Sequence, residues 1–145
     1  MFISDMANSG SRPVLEQMLR FAGERQRILA HNIANMSTPE FQAADVSVRG
    51  FQDQLAAAVD ARRAQTGGAH GDLVLKDTSE VRQVGDSLEI TPQTSNGEVQ
   101  FQDRNNRDYV RLMQDLAENN LVFRTAADLL RWHQGMIRAA ITQRP

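Results

Sequence analysis

Tyr109, Leu116, Phe123, Leu130 and Ile137 stand seven residues apart, an unbroken series through the C-terminal third of the chain. Two parallel series accompany it: Leu112, Asn119, Ala126, His133 and Ala140, then Met113, Asn120, Ala127, Gln134 and Ile141. Apolar residues repeating at this interval share one face of an α-helix. Sustained over several repeats, they predict a long helix packed on another in coiled-coil fashion. The helix is expected over 105–145, with Asp108 as its cap, and roughly 50 Å long. Gly135 costs about 1 kcal/mol against alanine, and the helix is expected to pass through it. The same stripe would also suit the core of a monomeric bundle. A bundle needs at least three good helices, which the chain does not obviously supply.

A second helical pattern covers 13–36, after a flexible stretch at 1–12. Leu15, Met18, Leu19, Ala22, Leu29 and Ile33 recur at helical spacing, interrupted by Arg25 and Gln26, and Ser11-Arg12-Pro13 makes a plausible start. Residues 37–64 read as a turn and a short helix carrying Phe51, Leu55 and Val59 and ending near Arg63. Residues 65–104 read as irregular. "AQTGGAHGD" is flexible by composition, and "TPQTSNG" suits the loop of a weak β-hairpin joining Leu88 and Ile90 to Val99 and Phe101. This middle is expected to supply no core of its own.

The predicted fold is therefore mainly α, a single domain formed by both termini. Long N- and C-terminal helices pack antiparallel as a coiled coil, with an irregular middle segment between them. The packing residues are Leu15, Leu19, Ala22 and Leu29 on one helix. On the other they are Tyr109, Met113, Leu116, Asn119, Phe123, Ala127, Leu130 and Ile137. Leu121, Val122, Leu129, Trp132 and Met136 fall outside that seam. Large apolar patches are rarely left bare on monomers, so the surplus points to further copies or partners.

Other chemistry is sparse. The 145 residues are 41% hydrophobic and 23% charged, with a formal net charge of −2, which gives no general electrostatic grip on nucleic acid. Without cysteine there are no disulfides, thiolate metal sites or cysteine nucleophiles. "MFISDMANSG" lacks the basic and apolar regions of a cleavable secretory signal. No apolar run reaches the roughly 20 residues that span a bilayer, so an integral membrane protein is not expected. His31, His70 and His133 have no second ligand at metal spacing, and His70 with Asp72 lies in a glycine-rich linker. Asp115 and Glu118 share a helical face, but Arg111 offers Asp115 a plain surface ion pair. No catalytic residue, cofactor, metal or small-molecule substrate is expected.

"LAHNIANMSTPEF" ends the first helix in Asn32, Ile33, Ala34 and Asn35, followed by Thr38, Pro39 and Phe41. This resembles the N-terminal signature of the flagellar rod, hook and hook-associated axial proteins. "NNRDYVRLMQDLAENNLVFRTAADLL" resembles their C-terminal hallmark through Asn105, Asn106, Asp108, Met113, Leu116, Ala117, Glu118, Asn119, Phe123 and Leu130. The likeness covers roughly 10–60 and 103–142. Short length and the continuation "FQAADVSVRGFQDQL" narrow it to the proximal rod proteins. Glu40 stands where that family often has glycine, and Leu112 where it has an acidic residue. The resemblance implies a non-enzymatic subunit of the bacterial flagellar basal-body rod, exported without signal cleavage and crossing the periplasm. Its implied partners are copies of itself, other rod proteins, and the MS-ring and export-gate junction proteins at the rod base. A helical adaptor or export chaperone that does not polymerise is the alternative. Asn32 and Asn35 are expected to fix the chain reversal after the first helix and to bridge to adjacent subunits.

Overall fold

A computed structural model describes residues 10–67, 71–85, 87–94 and 109–142. Most of the stretch 1–12, together with His70, Val99, Phe101, Asn105, Asn106 and the Asp108 cap, lies outside the described residues. The chain is mainly helical. Helix α1 (Arg12–Asn35) leads to strand β1 (Ala44–Asp45) and helix α2 (Val48–Thr66). Strands β2 (Val81–Val84), β3 (Ser87–Ile90) and β4 (Gln93–Thr94) follow, and helix α3 (Tyr109–Thr142) closes the order.

The ends of these helices follow local chemistry. Pro13 sits in the first turn of α1, where its missing N–H costs nothing, and Arg12 pairs with Glu16 one turn on at 2.8 Å. Ser47 caps α2 by accepting from the Gly50 N–H at 3.0 Å. Gly67 stops α2 in the left-handed conformation, φ 69°, with its N–H bonded to the Arg63 carbonyl. At 19 residues, α2 is longer at both ends than the short helix expected from Phe51 to Arg63.

The hairpin also differs from expectation. Ser87–Ile90 pairs antiparallel with Val81–Val84 upstream, in the register Val81↔Ile90 to Val84↔Ser87. It does not use "TPQTSNG" as its loop. The two-residue connection Gly85-Asp86, with Gly85 at φ 59°, suits the twist of a tight hairpin. Beyond it, β4 pairs with β1 instead, Ala44↔Thr94 and Asp45↔Gln93.

The expectation of a coreless middle is overturned. Phe21 of α1 joins Val46, Phe51, Leu55, Ala58, Leu73, Leu75, Val81 and Leu88 in a buried apolar cluster. Phe21 and Phe51 stack with ring centroids 4.0 Å apart. Leu73 and Leu75 point inward on either side of exposed Val74, as alternation in an extended segment dictates. Three scattered short segments that are weak separately thus bury one another against α1.

Helix α3 lies along α1 in the antiparallel sense. Asp115 is near Arg25, Asn119 bonds Ala22, and His133 lies beside Gly10. The seam differs from the predicted one. Leu112, Asn119, Ala126 and Leu130 are buried, whereas Tyr109 and Phe123 are exposed and Met113, Leu116, Ala127 and Ile137 only half-buried. On α1, Leu15, Ala22 and Leu29 are buried as expected, with Leu19 half-buried. The pairing is a close helix–helix packing.

Candidate assembly surface

The motif that ends α1 builds a folded-back corner. Asn32 is 2% exposed. Its Nδ2 donates to the Ala44 carbonyl at 2.7 Å and its Oδ1 accepts from the Ala44 N–H at 3.2 Å. One amide thus pairs both polar groups of one β1 residue and fixes the reversal. Those bonds are internal to the chain. Asn35, half-buried, donates to the His31 carbonyl at 2.9 Å. The turn follows: Thr38 N–H bonds the Asn35 carbonyl, and Phe41 N–H bonds Thr38 across Pro39 and Glu40. Glu40 has φ 60°, the left-handed conformation that glycine adopts without strain. The turn therefore has the shape a glycine would favour, despite the departure in residue type. Phe41 folds back onto His31, ring centroids 5.7 Å apart. Ala34, Thr38 and Pro39 stay exposed, while Ile33 is half-buried.

Behind the corner stands a residue that read only as a break in the apolar stripe. Arg25 is buried. Its Nε and Nη2 bond the two carboxylate oxygens of Asp45 at 2.9 and 2.5 Å, the bidentate fork that arginine offers a carboxylate. The same Nη2 lies 3.6 Å from Asp115 on α3. Asp115 thus has a direct ion-pair contact with Arg25, and the charge of Arg111, the partner expected from sequence, also acts on it. Burial works against the charged guanidinium, but Asp45, then Asp115 and Glu118, outweigh it and raise the Arg25 pKa above its ordinary value. The Asp115 carboxyl is raised above the usual carboxylate range, chiefly by burial, with Asp45 and Glu118 adding to the rise and Arg25 and Arg111 opposing it. The sequence signal for this node was the interruption itself: a charged residue inside a buried stripe requires a partner.

Asn119 provides the polar contact in the helix seam. Its Nδ2 donates to the Ala22 carbonyl and to Gln26 Oε1, both at 2.9 Å. The predicted packing role of Asn119 holds through hydrogen bonding rather than apolar contact.

Much of α3 is left bare. Leu121, Val122, Leu129, Trp132 and Met136, read from sequence as lying outside the seam, are exposed, Trp132 by 63% and Leu121 by 70%. Between α2 and α3, over α1, runs a groove of ≈ 360 Å³. Met18, Phe21, Phe51 and Val122 make it apolar, and Asp115 and Glu118 give it an acidic edge. Among the described residues no cluster of His, Asp or Glu could hold a metal ion. No described helix is long and apolar enough to cross a membrane. Comparison with protein-family models finds no match, and comparison with curated proteins finds none.

Proposed function

We propose that the chain is a structural subunit of the bacterial flagellar basal-body rod, most like the proximal rod protein FlgB. In this reading it assembles by helix packing into a helical tube that transmits torque, with no catalytic step. The observation that carries the reading is the bare apolar surface of α3, combined with the Asn-Ile-Ala-Asn and Thr-Pro sequence that forms the corner at the end of α1. Copies of itself and other rod proteins cover that surface. MS-ring and export-gate junction proteins are its neighbours at the rod base. Docking stabilises the folded form by mass action, and a head-to-tail contact that does not close generates a helical array.

Asn35 tests the reading because its side-chain bond, to the His31 carbonyl, lies within its own helix turn. Asn35→Leu is expected to leave the isolated chain nearly intact, within about 1 kcal/mol by urea unfolding. The same variant is expected to be missing from rods in isolated basal bodies. Normal incorporation would remove the proposed role of the corner.

A further inference from the structure

The seam against α1 divides the remaining surface of α3 into two unlike flanks. Val122, Leu129 and Met136 recur every seven residues on one side, continuing the line begun by Asp115 and Glu118 at the groove. On the other side Arg124, Arg131 and Arg138 recur every seven, all exposed, next to the exposed ring of Phe123. Residues seven apart share a helix face, so each flank is a continuous strip.

Charge is unbalanced on both strips. At the groove two guanidinium groups, Arg25 and Arg111, act against three carboxylates, Asp45, Asp115 and Glu118. On the far flank Arg131 has Asp128 at 3.1 Å, while Arg124 and Arg138 have no ion pair among the described residues. An apolar groove with an acidic edge is suited to a helix bearing apolar and cationic side chains. The opposite flank of this same chain has that composition.

We infer that the groove between α2 and α3 seats α3 of a second copy, which enters by its Phe123, Arg124 and Arg131 flank. The inference rests on the reading that the chain assembles with copies of itself, and it names the two surfaces that meet. Since the surfaces differ, each copy keeps one unused groove and one unused flank, so addition continues in one direction. Aromatic and arginine side chains are also the residues that dominate interface energetics.

The test uses the full chain in two charge-reversed forms, Glu118→Arg and the pair Arg124→Glu with Arg131→Glu, followed by sedimentation at low salt. Each form alone is expected to associate at least tenfold more weakly than the unaltered chain, with an unchanged circular dichroism spectrum. Mixed together, the first offers a normal flank to the second's normal groove, and the reversed groove and reversed flank are again opposite in charge, so the mixture is expected to regain association that neither form shows alone. The absence of cysteine allows a second readout: Glu118→Cys with Arg124→Cys should oxidise to a ladder of linked copies. Association of undiminished strength in both reversed forms, with no ladder, overturns these surfaces while leaving self-assembly standing. A chain monomeric at every concentration overturns the inference and self-assembly together. If copies associate only after removal of residues 1–9, the groove belongs to the chain's own N-terminus, and the inference falls.

Discussion

Asn32 meets both backbone groups of Ala44 from a site shut off from water, so its value lies in what its removal leaves behind. A buried donor and acceptor without partners cost about 1–3 kcal/mol each. Asn32→Leu, similar in size, is expected to destabilise the isolated chain by about 2–4 kcal/mol in urea unfolding, in contrast to the mild effect at Asn35. At Asp115 the sign is opposite. Its folded pKa is raised, so its contribution favours folding below the unfolded carboxylate range and is lost as pH rises through the folded value. Asp115→Asn is therefore expected to raise Tm at pH 7, and the advantage should shrink as pH falls toward about 4. A constant difference across that range would contradict the burial argument. The role of Asn32 at the reversal was legible because an amide before Thr-Pro has few other uses there. Arg25 was not, since its partners Asp45 and Asp115 are distant in sequence and sit together only after α1, β1 and α3 have met.

The position of the α3 seam shows how an element can be right in kind and wrong in face. Periodicity placed a long helix over most of 105–145 and found three adjacent series, but favoured the one richest in large apolar residues. The chain buries Ala126 beside the expected Asn119, whose amide bonds the Ala22 carbonyl. Small Ala22 and Ala126 share the buried face with Leu15, Leu29, Leu112 and Leu130, while Phe123 and Tyr109 are exposed at its edge. The hairpin was misplaced for a comparable reason: Gly85-Asp86 between Val84 and Ser87 is a tight-turn signal, but the longer polar loop downstream drew more attention. Asn119 itself carries a prediction. A buried amide between helices fixes alignment at some cost in stability. Asn119→Leu should hold stability within about 1 kcal/mol while loosening the match between the helices. Cysteines placed at Gly23 and Phe123, where the edge of the Phe123 ring meets the position of a Gly23 side chain, should be joined by a short bifunctional thiol reagent in the unaltered background and less selectively in the variant.

At the scale of the molecule, the apolar cluster lies among α1, α2 and the hairpin, while α3 packs along α1. Amides of α1, α2 and the β2–β3 hairpin are expected to exchange slowest in hydrogen exchange, and those of α3 beyond His133 fastest. Trp132, the one tryptophan, should emit as a water-exposed indole in the isolated chain and shift to shorter wavelength on assembly. A buried-type emission at high dilution would contradict the exposed stripe. This division of the core was beyond sequence reading, because Leu73, Leu75, Val81 and Leu88 acquire their value only together.

Past His133, α3 continues for about nine residues, or roughly 14 Å, beyond its contact with Gly10. A helix held along one part of its length and unsupported by α1 thereafter behaves as a cantilever, whose deflection under load grows steeply with the free span. Among the described residues α1 gives that end no further brace, so a solitary molecule would bend there under a small sideways force. Neighbours gripping it would convert soft projecting arms into a stiff, braced wall, so rigidity would arise from the array and not from any one member of it.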